Sequence, residues 1–261
     1  MKKVRIDEYI FNHFNLGTID EINRIIMAGK VLNNNQPVYK SSEMIKPETA
    51  DIRFKNVKTF VSRGGLKLKH AIDHFNLNVQ GTVVTDIGSS TGGFTDCALQ
   101  NGAEHVYAVD VGTNQLDYKL RIDDRVTVME QTNFKHTVRE NFKYPPDIFT
   151  IDVSFTSVVP ILRHIRSLFS HEFEIIALIK PQFESYLEEV EENGIITDLH
   201  THESVVGRVL EECSDLELAP CHFDRSPITG TKGNIEYLLH LKSNTQNNMF
   251  NKDDVHSIIF D

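Results

Sequence analysis

Cysteine is scarce in this chain. Its three cysteines, Cys97, Cys213 and Cys221, are odd in number and follow no ligand spacing. Neither a disulfide framework nor a thiolate metal centre is expected, and the cytoplasm is the expected compartment. Long apolar runs are missing too, since no stretch approaches the ~18 consecutive apolar residues of a membrane helix. The opening MKKVRIDEYIF places Asp7 and Glu8 before any apolar run can form, which argues against a secretory signal. Two glycine signatures are also absent. G-x-G-x-x-G does not occur around the glycine-rich segment at 88–93, and no lysine follows it, which argues against a dinucleotide fingerprint and a P-loop. Histidines are present but scattered. The nearest pair, His200 and His202 in DLHTHES, has no Cys or acidic partner at a ligand spacing. Surface polarity or capping is the role expected for it, and no metal is expected.

What is present divides the chain in two. Its 261 residues, 40% hydrophobic, are enough for one large domain and one small one. The net charge of −10 is unevenly spread. Residues 1–58 hold ten Lys/Arg and seven Asp/Glu, net +3, and the remainder holds 17 and 30, net −13. Opposite signs predict two parts with different jobs, the basic one compatible with RNA.

The first part reads helix, helix, hairpin. Ile6 and Ile10 share a helical face, Thr18–Glu21 spells a capping box, and Ile22, Ile25 and Ile26 follow at helical spacing. Gly29 is placed to end that helix in a left-handed conformation. KVLNNNQPVY predicts two short strands around an asparagine turn, and a further strand is expected at 50–54. This order resembles the alpha-L, or S4-like, RNA-binding motif over roughly the first 55 residues. Thr18-Ile19 stands where that family has Ser-Arg, which removes one basic contact, and Asn35 stands where it has Gly at the turn. Residues 56–61 are read as a linker.

From residue 62 the pattern changes. SRGGLKLKHAIDHFN predicts a helix with Leu68, Ala71, Ile72 and Phe75 as its apolar stripe and Lys67 beside it, a flank usually only solvated. Apolar strand-like runs then recur at 83–87, 105–109, 126–129, 147–151, 175–179 and 216–223. Helical stretches at 94–100, 157–170 and 201–213 lie between them. Strands alternating with helices predict a mainly parallel sheet covered on both faces, a Rossmann-like α/β fold. GNIEYLLHLK follows the previous strand closely and is expected to run antiparallel. The tail 244–261 is polar, then briefly apolar, either frayed or docked as a strap.

The segment TDIGSSTGGFTD, residues 85–96, is the densest chemistry. It contains G-x-S-x-G around Ser90, the form of a nucleophile elbow, but follows the first strand of its sheet and has no evident downstream acid–His pair. A pyrophosphate loop fails on spacing. A loop for S-adenosylmethionine fits best. Ligands of open α/β sheets bind beyond the strands' carboxyl ends, where this loop falls. A carboxylate would meet amides near Gly92, Gly93 and Phe94 at the helix start. The amino group would meet an acceptor such as Asp86 or nearby carbonyls. Asp110, ending the second strand in VYAVDVG, would take two ribose hydroxyls. The expected cofactor set is Asp86, Gly88, Ser89, Gly92, Gly93, Phe94, Asp110 and Val111.

Four distant charges complete the reading: Lys67 in SRGGLKL, Asp152 in IDVSF, Lys180 in IKPQFE and Glu236 in GNIEY. In this order, with DIGSSTGGFTD and VYAVDVG, the motifs resemble the TlyA family of RNA methyltransferases and, more broadly, the FtsJ-like ribose methyltransferases, over nearly the whole chain. The resemblance implies a Lys–Asp–Lys–Glu catalytic tetrad at Lys67, Asp152, Lys180 and Glu236. It implies S-adenosylmethionine as cofactor and transfer to the 2′-hydroxyl of a cytidine in structured ribosomal RNA. On this reading Lys180 contacts the hydroxyl, the two acids orient and balance the lysines, and Lys67 positions the hydroxyl or the adjacent phosphate. The loop before the last acid reads TGTKG where the family has Pro-Gly-Pro-Ser-Gly, which alters loop shape and substrate fit. Two other classes compete. The haemolysin label of some family members implies a membrane-active toxin, against which stand the missing signal, membrane span and amphipathic stripe. A non-catalytic RNA-binding assembly factor is the other, and the intact tetrad argues against it.

Overall fold

The computed structural model describes residues 3–14, 16, 18–55, 59–191, 194–243 and 252–261. The chain forms two compact units, Met1–Thr59 and Phe60–Asp261.

The first unit contains β1 (Val4–Arg5), α1 (Ile6–His13), α2 (Ile19–Met27), β2 (Val31–Asn33), β3 (Gln36–Val38), β4 (Met44–Ile45) and β5 (Ile52–Phe54). Thr18 caps α2 reciprocally: its hydroxyl accepts from the Glu21 amide, and its own amide donates to the Glu21 carboxylate at 2.8 Å. Gly29 follows the helix at φ +65°. Asn34 and Asn35 take φ of 50° and 63°, the paired positive values of a tight hairpin turn, and join β2 to β3. Ile6, Ile10, Ile22 and Ile26 are fully buried with Val31, Val38 and Ile45 in one small core. The β1–β4 pair is two residues long, too short for sequence periodicity to reveal.

The second unit begins with α3 (Gly64–His74). Then come β6 (Val83–Ile87), α4 (Gly93–Gln100), β7 (His105–Val109), α5 (Tyr118–Arg121), β8 (Val126–Met129), β9 (Ile148–Ile151) and α6 (Val159–Leu168). They are followed by β10 (Glu174–Ile179), α7 (Pro181–Glu184), α8 (Leu199–Asp215), β11 (Leu218–Arg225), β12 (Tyr237–Ser243) and α9 (Lys252–Phe260). One seven-stranded sheet runs β11-β12-β10-β9-β6-β7-β8. Pairings from β10 through β9, β6 and β7 to β8 are parallel, whereas β12 runs antiparallel to both β10 and β11. The strands alternate sides. Ile175, Ala177 and Ile179 join the core under α6 and α8, while Ile176 and Leu178 join the core under α3 and α4. Burial of both faces is why these strands read as continuous apolar runs.

Two expectations change, and one left open, the tail, is decided. Phe60 and Val61, assigned to the linker, pack in the larger unit's core beside Leu68 and Phe94; residues 56–58 lie outside the described residues. The tail is a docked strap over 252–260, with Val255 and Ile259 buried in the core that α8 also lines; residues 244–251 lie outside the described residues. His202 is no surface histidine: it is 1% exposed, in contact with the Tyr237 hydroxyl (2.8 Å) and the Ile196 carbonyl (3.0 Å). Burial holds its imidazole below the usual range. A histidine on the inward stripe of α8 can fill a core position because both ring nitrogens find partners there.

Candidate active site

Strand direction brings the four charges together. Asp152 immediately follows β9 and Lys180 immediately follows β10, so both sit at the carboxyl edge of the parallel strands. Glu236 immediately precedes β12, which runs the other way. Ile179 pairs with Tyr237, so Lys180 and Glu236 leave the same end of their ladder. Lys67 comes from the first turn of α3, which packs on α4 and touches β12.

The four side chains form one ionic chain. Lys67 Nζ donates to Glu236 Oε2 at 2.7 Å and to Asp152 Oδ2 at 3.3 Å. Lys180 Nζ reaches Asp152 Oδ1 at 2.5 Å and Ser154 Oγ at 3.3 Å. Asp152 is thus shared, one oxygen to each lysine. Lys67 and Lys180 are each 7% exposed and Glu236 is 3% exposed. Lys67, read in sequence as a solvated flank, is buried because Gly65, where a Cβ would run into the Phe60 ring, and Gly93, where one would lie 2.8 Å from the Gly65 amide nitrogen, let the start of α3 seat closely. All four residues line one polar cleft of about 460 Å³, together with Asp86, Gly88, Ser89, Gly93 and Phe94.

Part of the glycine loop is held by bonds within the fold. The amides of Gly88 and Ser89 both donate to the Val109 carbonyl, at 2.8 and 3.1 Å, and so serve the fold. The Gly92 amide donates to the Ser89 carbonyl. The Thr95 amide and hydroxyl both donate to Asp86 Oδ2, and the Thr150 hydroxyl donates to Asp86 Oδ1. In the first turn of α4 the Gly93 and Phe94 amides are those that helix geometry leaves open to an incoming carboxylate. The bareness of Gly88 has a second reason. At φ +84°, a Cβ there would lie 2.6 Å from the Asp152 carbonyl oxygen, so a side chain would push the end of β9 away.

Asp110 immediately follows β7, beside the glycine loop. Its carboxylate accepts from the Ser90 amide (2.8 Å) and the Gly112 amide (2.7 Å). It lines a second cleft of about 580 Å³ with Val109, Val111, Phe134 and Ile161. An apolar slot with a fixed carboxylate at its wall suits a flat base joined to a diol-bearing sugar. Gly88, Ser90, Asp152 and Ser154 line both clefts, so the two are continuous around the loop.

Phe155 escaped the sequence reading. It is 91% exposed at the wall of the second cleft, three residues beyond Asp152, with φ +61° and its ring 5.1 Å from that of Phe183. A bulky residue at positive φ is uncommon. Only the motif's position beside Asp152 hinted at it. Among the described residues no cluster of three or more His, Cys, Asp or Glu could hold a metal.

A Rossmann-like sheet with its seventh strand antiparallel, a bare loop after the first strand and an acid after the second define the S-adenosylmethionine-dependent methyltransferase class. Comparison with known proteins narrows it: the family model described as FtsJ-like methyltransferase matches residues 60–243. The chain belongs to the FtsJ-like methyltransferase family. It is 45% identical over 241 residues to a Bacillus subtilis protein named as an rRNA methyltransferase, YqxC, covering 92% of this chain and 86% of that one. It is 32% identical over 262 residues to the 16S/23S rRNA (cytidine-2′-O)-methyltransferase TlyA of Mycobacterium tuberculosis, covering 99% of this chain and 98% of that one. A solved structure from Streptococcus thermophilus, described as a hemolysin, superposes with a TM-score of 0.75 at 40% identity, covering 99% of this chain and 95% of that one.

Proposed function

We propose that the chain transfers a methyl group from S-adenosylmethionine to the ribose 2′-hydroxyl of a cytidine in structured ribosomal RNA within a subunit, in the cytoplasm. The observation that carries this reading is the buried Lys67–Asp152–Lys180 chain closed by Glu236, opening into the cleft beside the glycine loop. The names of the relatives, one an rRNA methyltransferase and one an rRNA (cytidine-2′-O)-methyltransferase, support the substrate class. S-adenosylmethionine supplies an electrophilic methyl on a positive sulfur, so the protein's task is to align the nucleophile and ease loss of its proton. Lys180 holds the hydroxyl oxygen and stabilises the negative charge that develops there. Asp152 fixes Lys180, and Glu236 with Asp152 fixes Lys67. The Gly93 and Phe94 amides take the cofactor's carboxylate, Asp110 its ribose hydroxyls, and Val111 and Phe134 flank its base.

The first unit supports an RNA partner. Arg24, Lys30, Lys40, Lys46 and Lys55 are all exposed and have no carboxylate partner among the described residues. Unpaired cations on a small α+β unit suit backbone phosphates, which position RNA without reading its sequence. The Phe155 ring offers a stacking face at the mouth of the site. No helix among the described residues is long and apolar enough to cross a membrane. The direct test is incubation with radiolabelled S-adenosylmethionine and ribosomal subunits from cells lacking the gene, then mass-spectrometric mapping of the rRNA. A single 2′-O-methylcytidine is the expected product, and unlabelled RNA would sink the reading.

Asp86 makes cofactor binding pH-dependent. Burial pushes its carboxyl up to about 6, against the pull of the Thr95 and Thr150 bonds. The folded value exceeds the unfolded one, so the fold gains stability as pH falls from about 6 toward 3.8. Above about 6 the buried carboxylate costs on the order of 3 kcal/mol. A cationic amino group recovers part of that cost by pairing with the ionised form. Calorimetric affinity for S-adenosylmethionine is expected to weaken as pH falls from 7.5 to 5.5. In Asp86→Asn the profile should flatten.

A further inference from the structure

Among the basic residues of the polar cleft, one is held by no carboxylate. Arg63, Lys67 and Lys180 are the basic residues lining it. Lys67 is held by Glu236 and Asp152, and Lys180 by Asp152, so the tetrad is neutral within itself. Lys67 is also committed: it sits at the floor, 7% exposed and bridging two carboxylates. Two of its three N–H donors are so engaged, and its depth places it poorly for a phosphodiester at the rim. Arg63 is different. It is exposed, makes no side-chain cap to α3, and has no ion-pair partner among the described residues.

Its placement follows from helix geometry. Arg63 sits in helical φ/ψ at the start of α3, four residues before Lys67. Residues at i and i+4 stack on one helix face, with Cβ atoms roughly 5–6 Å apart. Both side chains belong to the same cleft, Lys67 at the floor and Arg63 one turn nearer the rim. A ribose 2′-hydroxyl has the 3′-phosphodiester on the neighbouring carbon. When the hydroxyl lies at the tetrad, that phosphate lies toward the rim, within a side chain's length. A guanidinium presents two parallel N–H donors that match two phosphate oxygens.

We propose that Arg63 grips the 3′-phosphate of the target nucleotide and so sets the 2′-hydroxyl in line for transfer. The phosphate role assigned to Lys67 on sequence grounds passes to Arg63. This inference rests on the 2′-O-methyltransferase reading and deepens it. Arg63 orients substrate and takes no part in the proton transfer, so its loss raises KM more than it lowers kcat.

Steady-state transfer to ribosomal subunits from a strain lacking the modification, run across a salt series, tests this. Arg63→Ala is expected to raise KM about tenfold or more, with kcat within about threefold. The slope of log KM against log salt should become shallower by roughly 0.7, one phosphate contact on single-stranded RNA. Arg63→Lys should restore the salt slope but only part of the KM, since an ammonium lacks the fork. Calorimetric S-adenosylmethionine affinity should match wild type in both variants. An unchanged KM and salt slope in Arg63→Ala, or a loss confined to kcat, overturns the inference while wild-type transfer upholds the underlying reading. Wild-type protein that transfers no methyl overturns the reading itself.

Discussion

Replacing Lys180 with alanine is expected to lower methyl transfer by about a thousandfold, within the range for losing a positioned acid–base group. The protein should stay folded. Asp152 keeps Lys67 as a partner at 3.3 Å, so no carboxylate is stranded. S-adenosylmethionine should still bind, because Asp110 and the first-turn amides of α4 do not involve Lys180. Single-turnover transfer and calorimetry on one preparation separate the two effects. Arginine at 180 should not rescue: its fork is longer, and the site holds Lys180 to 7% exposure. Near-normal turnover in a folded Lys180→Ala would remove Lys180 from the mechanism.

Glu236→Ala should be costly in a second way. Lys67 and Glu236 meet at 2.7 Å with side chains 9% and 4% exposed. Deleting the acid leaves a buried ammonium with only its longer bond to Asp152. Removing one partner of a buried pair costs roughly 3–5 kcal/mol. At roughly 2–4 °C per kcal/mol for a domain of this size, Tm should fall by roughly 10 °C. Activity should fall with it, because freed Lys67 pulls Asp152 from Lys180. Glu236→Gln retains an acceptor and should keep more of the stability than of the activity. Thermal unfolding of both variants checks this. An alanine variant as stable as wild type would show that the pair is solvated in solution.

The two clefts assign distinct jobs around one loop. In the proposed function the apolar one, walled by Asp110, would receive a base and sugar, and the polar one would hold the reacting charges. Asp152 lines both, and Gly88 lets its strand end approach. A substitution at Gly88 would therefore disturb cofactor and tetrad together, a link invisible in the motif.

Much of this was legible in residue order. The capping box at Thr18, the asparagine hairpin and six strand runs follow from local rules, so sequence places them within a residue or two. Alternation of strand and helix gave the parallel sheet, because βαβ crossovers need helices between strands. Short distance between two strands gave the antiparallel β12. Three of the four charges were recognisable as motifs at strand ends, and Lys67 as part of a helical motif.

What residue order could not decide is what each group touches. The register of Ile179 on Tyr237 is a pairing across 58 positions, and it alone puts Glu236 beside Lys180. Lys67 lies off the apolar stripe of its helix, and its burial depends on the close seat of α3 against Phe60 and Phe94. The glycine loop announces a bend. Whether its amides face a ligand or the Val109 carbonyl depends on where β7 ends. His202 reads as polar, yet Tyr237 and Ile196, brought by other elements, supply what its ring needs to be buried. Sequence thus determined the elements and the inventory of reactive groups, because propensity and periodicity act over a few residues. Tertiary structure decided which charges neutralise each other and which is left over, because burial and pairing are set by chain segments far apart in sequence.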